Sequence, residues 1–193
     1  MASLGVYARR AVLLAGLLAP KAGSLPGRDF LIEEGKVGNL SVGMRVSTIV
    51  KLYPRWAVQG GFVYSEGIPA PVIEIRLTRG QKEPSLTIGL DETKDRRFTI
   101  ARGIDVLDRR FRTSSGIGPG STITSLRTAI RDLTIESFEG HTILNSKTRQ
   151  MSFEVEDDAP LYDKDGRLKL IGEIPGEIPV ASVWVYNVAA TLR

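Results

Sequence analysis

From Val72 onward the chain alternates apolar and polar residues with almost no error. Ile73, Ile75 and Leu77 share one parity and Glu74, Arg76 and Thr78 the other. Leu86, Ile88 and Leu90 resume the pattern after the Arg79–Pro84 turn, and Phe98, Ile100, Ile104 and Val106 continue it, with Arg102 and Gly103 breaking the period once. A period of two sends one parity into a core and the other toward water, so these segments predict an antiparallel sheet covered on one side. Further strands are expected at Leu133–Phe138, His141–Leu144, Gln150–Glu156, Leu168–Ile171 and Val180–Tyr186, with Met151, Phe153 and Val155 facing inward. Pro175 and Pro179 keep the segment before the last strand extended and out of a central position. Nearer the N-terminus, Phe30–Ile32 reads as a short strand, Glu33–Gly35 as a turn and Val37–Val42 as a second strand. Trp56–Ser65 holds strand-formers interrupted by Gly60-Gly61, which predicts a bulge or hairpin turn, and Pro69 and Pro71 predict a break.

Two glycine-led stretches interrupt the strands. GIGPGSTITSLRTAIR (116–131) packs Gly116, Gly118, Pro119 and Gly120 into a tight loop, then offers Ser121 and Thr122 as helix-capping residues. Ile123, Leu126 and Ile130 follow at i, i+3 and i+7, the stripe of a short helix. In GMRVSTIVKLYP, Gly43 and Met44 precede Val46, Ile49, Val50 and Tyr53 at equivalent spacing, and Pro54 ends the run. Aligning Gly43 with Gly120 superposes Val46 on Ile123, Ile49 on Leu126 and Tyr53 on Ile130, which reads as an internal duplication. The expected fold class is therefore α+β, with two pseudo-repeats that each pack a short helix on an antiparallel β-meander. The units are expected at 23–107 and 108–193, packed as one body.

Residues 1–22 read as a signal peptide. Arg9 and Arg10 close a basic region, and Ala11–Ala19 is an apolar run of export-signal length, too short to span a bilayer. Removing this segment takes away Arg9, Arg10 and Lys21 and no acid, lowering the formal charge from +4 to +1. The basic character belongs largely to the targeting segment, and nucleic-acid binding is not expected. The absence of cysteine excludes a disulfide framework, thiolate zinc sites and a cysteine nucleophile.

No motif carries a catalytic constellation. GIGPGST lacks the lysine of a P-loop and the spacing of a dinucleotide fingerprint, so it reads as a structural turn. DKDG (163–166) recovers no calcium loop, because Leu161 and Gly172 fall where carboxylates are required. His141 is the only histidine, which leaves no conventional metal site. Asp105 with Asp108, or Glu136 with Glu139, are the pairs available for acid–base hydrolysis. Between Lys94 and Arg112 seven basic residues face three acids. Arg97, Arg109, Arg110 and Arg112 are the candidate contacts to an anionic partner.

Val37–Pro54 resembles the helix start of small bacterial envelope modules of the BamE (SmpA/OmlA-like) type. Arg109–Arg131 is similar to a segment of uncharacterised exported bacterial proteins. The resemblance implies a short helix on an antiparallel meander, with Gly43, Met44, Gly120, Ser121 and Thr122 as structural positions. The expected protein is an exported, non-catalytic binding protein of the bacterial envelope or periplasm, periplasmic or secreted, without cofactor or metal. Its expected partner is a protein or an anionic envelope component, and no transmembrane segment is expected to remain once the signal is cleaved. The alternatives are an envelope hydrolase using paired carboxylates, or a small-ligand carrier with an apolar cavity between sheet and helices.

Overall fold

The computed structural model describes residues 28–65, 68–92, 98–138, 141–156, 162–167 and 169–186, so the predicted signal peptide lies outside the described residues. Eight strands form one antiparallel sheet: β4 (Val58–Ser65), β5 (Ile68–Ile75), β6 (Leu86–Glu92), β7 (Phe98–Val106), β9 (Leu133–Phe138), β10 (His141–Ser146), β11 (Met151–Val155) and β12 (Val180–Val185). Their order is β4-β5-β6-β7-β12-β11-β10-β9. Four short strands, β1 (Leu31–Glu33), β2 (Lys36–Val37), β3 (Leu40–Ser41) and β8 (Arg112–Thr113), make a second sheet ordered β3-β2-β1-β8. The helices are α1 (Val46–Leu52) and α2 (Ile123–Ala129).

Register shows how alternation builds the core. Ile75, Leu86, Val106, Val183, Phe153 and Leu144 stand opposite one another on successive strands, and so do Ile73, Ile88, Ile104, Val185 and Met151 in the next row. All are buried. Ile49 of α1, Ile123 and Leu126 of α2, and Ile32, Val37 and Leu40 of the small sheet close over the same face and join one core. Burying a side chain of this size contributes roughly 1.5–3 kcal/mol, so these rows supply most of the driving force.

This overturns the expected α+β arrangement of two helix-on-meander repeats. The molecule is mostly β, and the strands of both halves belong to one sheet, joined where Ile104, Asp105 and Val106 of β7 pair with Val185, Trp184 and Val183 of β12. The physical reason is size. Each helix has seven residues, about 10 Å of length, and buries one or two side chains, too few to cover a sheet of its own.

Locally the helices begin at the glycine-led turns. Gly43 and Gly120 have φ of 86° and 82°, in the left-handed region that favours glycine. Thr122 Oγ1 accepts the Ser125 backbone N–H at 3.3 Å, while Arg45 at the start of α1 makes no side-chain cap. Met44 packs partly against the core, and Ser121 Oγ accepts the Gly118 N–H at 3.0 Å.

Four strand expectations need correction. The expected Val37–Val42 strand is instead broken by a turn at Gly38 and Asn39 between β2 and β3, which pair antiparallel. Gly60-Gly61 neither bulges nor turns, because β4 pairs with β5 without interruption from Val58↔Ile75 to Ser65↔Ile68. Pro69 and Pro71 lie within β5 and do not break it. Strand β6 pairs with β5 only from Val72, so the side where β6 would lie has no ladder to lose. Of the expected Leu168–Ile171 strand, Leu168 lies outside the described residues and no strand forms over residues 169–171. Ile171 opens a short 3₁₀ turn, Ile171–Glu173, and the Glu173 carboxylate accepts the Leu170 N–H at 2.7 Å. The predicted irregularity near Arg102 and Gly103 is present as a shift between the Gly89↔Gly103 and Leu90↔Ile100 pairs.

Candidate functional site: an acid-lined cleft on the open sheet face

The parity that avoids the core forms the other face of the large sheet. One row crosses all eight strands: Gln59, Glu74, Thr87, Asp105, Trp184, Ser152, Asn145 and Thr134. Beside it, Ser182, Glu154, Ile143 and Glu136 make a second row across β12, β11, β10 and β9. A cleft of about 290 Å³ opens between them, lined by Asp105, Glu136, Asn145, Glu154, Ser182 and Trp184 among others.

Trp184 needs two glycines. A Cβ on Gly103 would sit 2.8 Å from the indole Cε2 and 2.3 Å from the Val185 carbonyl oxygen, and one on Gly89 would sit 3.4 Å from Cη2. The indole therefore lies across β7 and β6 where neither strand carries a side chain.

The polar groups interlock. Ser182 Oγ donates to Glu154 Oε2 at 3.2 Å, and the other Glu154 oxygen, Oε1, meets His141 Nδ1 at 2.8 Å. Ser152 Oγ donates to Asn145 Oδ1 at 2.5 Å. Asp105 differs from the rest, because its Oδ1 is sealed from solvent with no hydrogen-bond partner among the described residues. Burial pushes its carboxyl up to about 7 and the neighbouring Glu154 charge adds to the rise, against the pull of Ser182 and the Val106 backbone N–H. Tyr186 is also raised, first by burial. The cleft thus offers hydrogen-bond acceptors and negative charge around a flat aromatic surface.

The residues singled out from sequence divide. Asp105 enters the cleft without Asp108, which turns to Arg110 (2.6 Å) and accepts Ser85 Oγ–H at 3.0 Å. Those partners hold the Asp108 carboxyl below its usual range although burial opposes them. Glu136 lines the cleft, while Glu139 lies outside the described residues. Asp105 and Glu136 therefore share the cleft lining with Glu154. His141, at the first position of β10, completes the cluster through Glu154.

Among the arginines, Arg97 lies outside the described residues. Arg109, Arg110 and Arg112 share the segment leading to the glycine loop. Arg109 is exposed, 3.7 Å from Glu156, and Arg110 stacks on the Phe30 ring at 5.0 Å while pairing with Asp108. Arg112 donates to the Phe111 carbonyl at 2.7 Å, and burial, then Arg109, lower its pKa. The glycine loop around Gly116 and Gly118 serves packing: a Cβ on Gly118 would meet the Phe111 oxygen at 2.1 Å. In the DKDG turn, Asp163 Oδ1 accepts the N–H groups of Asp165 and Arg167, which makes a self-satisfied turn. No cluster of three metal-ligating side chains occurs among the described residues.

Sequence reading missed Glu154, Ser182, Ser152, Asn145 and Trp184. One signal was available: Trp184 sits between Val183 and Val185 on the outward parity, where a large aromatic needs a reason.

The architecture, a broad antiparallel sheet with one covered face, is shared with a solved structure. The crystal structure of the uncharacterized protein YfeY from Escherichia coli aligns with 81% of this chain and 99% of its own, with a TM-score of 0.57 and 15% sequence identity. At that identity the likeness concerns the fold alone. No protein-family model matches the chain, and no curated protein matches it.

Proposed function

We propose that this chain is an exported, non-catalytic binding protein of the bacterial envelope that works through the open face of its large sheet. The observation that carries the reading is the cleft around Trp184, where side chains from five strands converge on one surface. Ser182 donates to the Glu154 carboxylate and not to the His141 imidazole, so the two do not form a serine–histidine pair. Where the β4–β5 hairpin outruns β6, Phe62, Tyr64 and Ile68 are each about two-thirds exposed, which favours a protein partner. An anionic envelope component would instead be met at the Arg109–Arg112 segment, since the cleft itself is acidic. Export rests on the composition of residues 1–22.

The test is a paired capture from envelope extract. A wild-type bait should retain a specific species that a folded Trp184→Ala bait loses; equal retention by both removes the open face from the function. A phosphatase reporter fused after residue 30 should be active outside the cytoplasm, and inactivity would remove the export reading.

A second reading is a hydrolase, favoured by a carboxyl that keeps its proton near neutrality beside a second carboxylate. The pair would be Asp105 with Glu154. Turnover of chromogenic glycosides or esters, abolished by Glu154→Gln, would establish it.

A further inference from the structure

We infer that the cleft on the open sheet face takes a protonated primary amine, seated against Trp184 between Asp105, Glu154 and Glu136. This rests on the binding reading above and names its ligand class.

Three independent features point the same way. The first is charge: three of the lining residues are acids and none is Lys or Arg. The second is the indole, held flat by Gly103 and Gly89, a surface that attracts an ammonium group through its ring quadrupole. The third is the orphaned Asp105 Oδ1. A buried acceptor without a donor costs free energy, and a cation in the cleft above it would stabilise the ionised form across a poorly screened distance. A neutral polyol would supply donors but no charge, and would leave Asp105 holding its proton. An anion would meet Glu136 and Glu154 head-on.

The inference carries a pH signature. The groups around Asp105 are Glu154 on β11, with His141 on β10 paired to it, Glu136 on β9 and Tyr186 just after β12; β6 offers Thr87 opposite, and Glu74 on β5 is engaged by Arg76. Lowering the pH protonates Asp105, which removes a negative charge from the cleft and releases a cation. Amine binding should therefore strengthen with rising pH and release a proton from Asp105.

The source of the amine, a free polyamine or a lysine side chain of a partner, is separated by the probes. In a Trp56→Phe background, Trp184 fluorescence is titrated with cadaverine, with an acetyl-Gly-Lys-Gly-amide peptide, and with pentane-1,5-diol as the neutral counterpart of cadaverine. A saturable response to at least one amine is expected, about tenfold weaker at pH 5.5 than at pH 8. The tighter of the two amines identifies the source. Asp105→Asn and Glu154→Gln should each weaken it about tenfold while circular dichroism stays unchanged, and calorimetry in two buffers should register proton release near pH 7. An equal response to the diol, no response to either amine, or undiminished affinity in both variants would overturn the amine assignment. The paired capture with Trp184→Ala would still decide separately whether the face binds a partner.

Discussion

Replacing Asp105 by Asn should make the protein more stable at pH 8, and the gain should disappear in acid. The carboxyl titrates at 3.8 in its reference state and at about 7 when folded, with burial the main cause and Glu154 the next contributor that raises it. Between those values the folded protein holds a proton that the unfolded chain has released. Stability therefore falls as pH rises from about 4 to about 7 and is level above. About three units at 1.36 kcal/mol each sets an upper figure near 4 kcal/mol, and a measured gain of roughly 2–4 kcal/mol is expected for Asp105→Asn at pH 8. Near pH 4 the protonated acid and the amide are close in shape and both neutral, so the two proteins should have nearly equal stability. The assay is urea unfolding followed by circular dichroism at several pH values. Asp132 works in the opposite direction at lower pH: its carboxyl is held down to about 2, chiefly by the Thr148 backbone N–H, and its contribution is lost only as pH falls below about 4. A difference between wild type and variant that is the same at pH 4 and pH 8, or a loss of stability at pH 8, would refute the account of Asp105. A gain in stability alongside a loss of amine binding would mark the acid as retained for function at a cost in folding.

Gly103→Ala should destabilise by roughly 2–4 kcal/mol, because the new methyl meets both the Val185 carbonyl and the indole; a red-shifted Trp184 emission should accompany it. Phe153→Ala, at the centre of the buried rows, should cost about 3–5 kcal/mol by urea unfolding. Thr122→Ala should lose about 1 kcal/mol with the cap on α2, whereas Arg45→Asp should gain about 0.5–1 kcal/mol by supplying the cap that α1 lacks. Unchanged stability in Thr122→Ala, or a loss in Arg45→Asp, would refute the capping argument.

Strand identity was legible wherever one face is covered. The alternation through Ile73, Ile75, Leu86 and Ile88 reports which atoms leave water, and β6, β7, β9 and β11 lie where it indicates, whereas β5 begins four residues before the expected Val72. The signal weakened where covering stops. Pro69 and Pro71 read as a break because nothing local tells that β6 ends short of them. Gly60 and Gly61 read as a turn because glycine carries no parity of its own. The cleft was less legible still: Asp105, Glu136 and Glu154 each look like an ordinary solvent-facing acid on its own strand. Only the pairing of β7 with β12 brings Asp105 toward the β9–β11 acids.

The chain by itself determined its repertoire: outward and inward parity along each strand, left-handed turns at Gly43 and Gly120, and two helices too short to stand alone. These depend on dihedral sterics and on hydrophobic contrast between near neighbours. Tertiary structure decided that both runs of strands share one sheet, which face stays open, and which acids meet beside Trp184. Those outcomes depend on contacts between residues far apart in the chain, and a residue's charge alone does not reveal what will be packed against it.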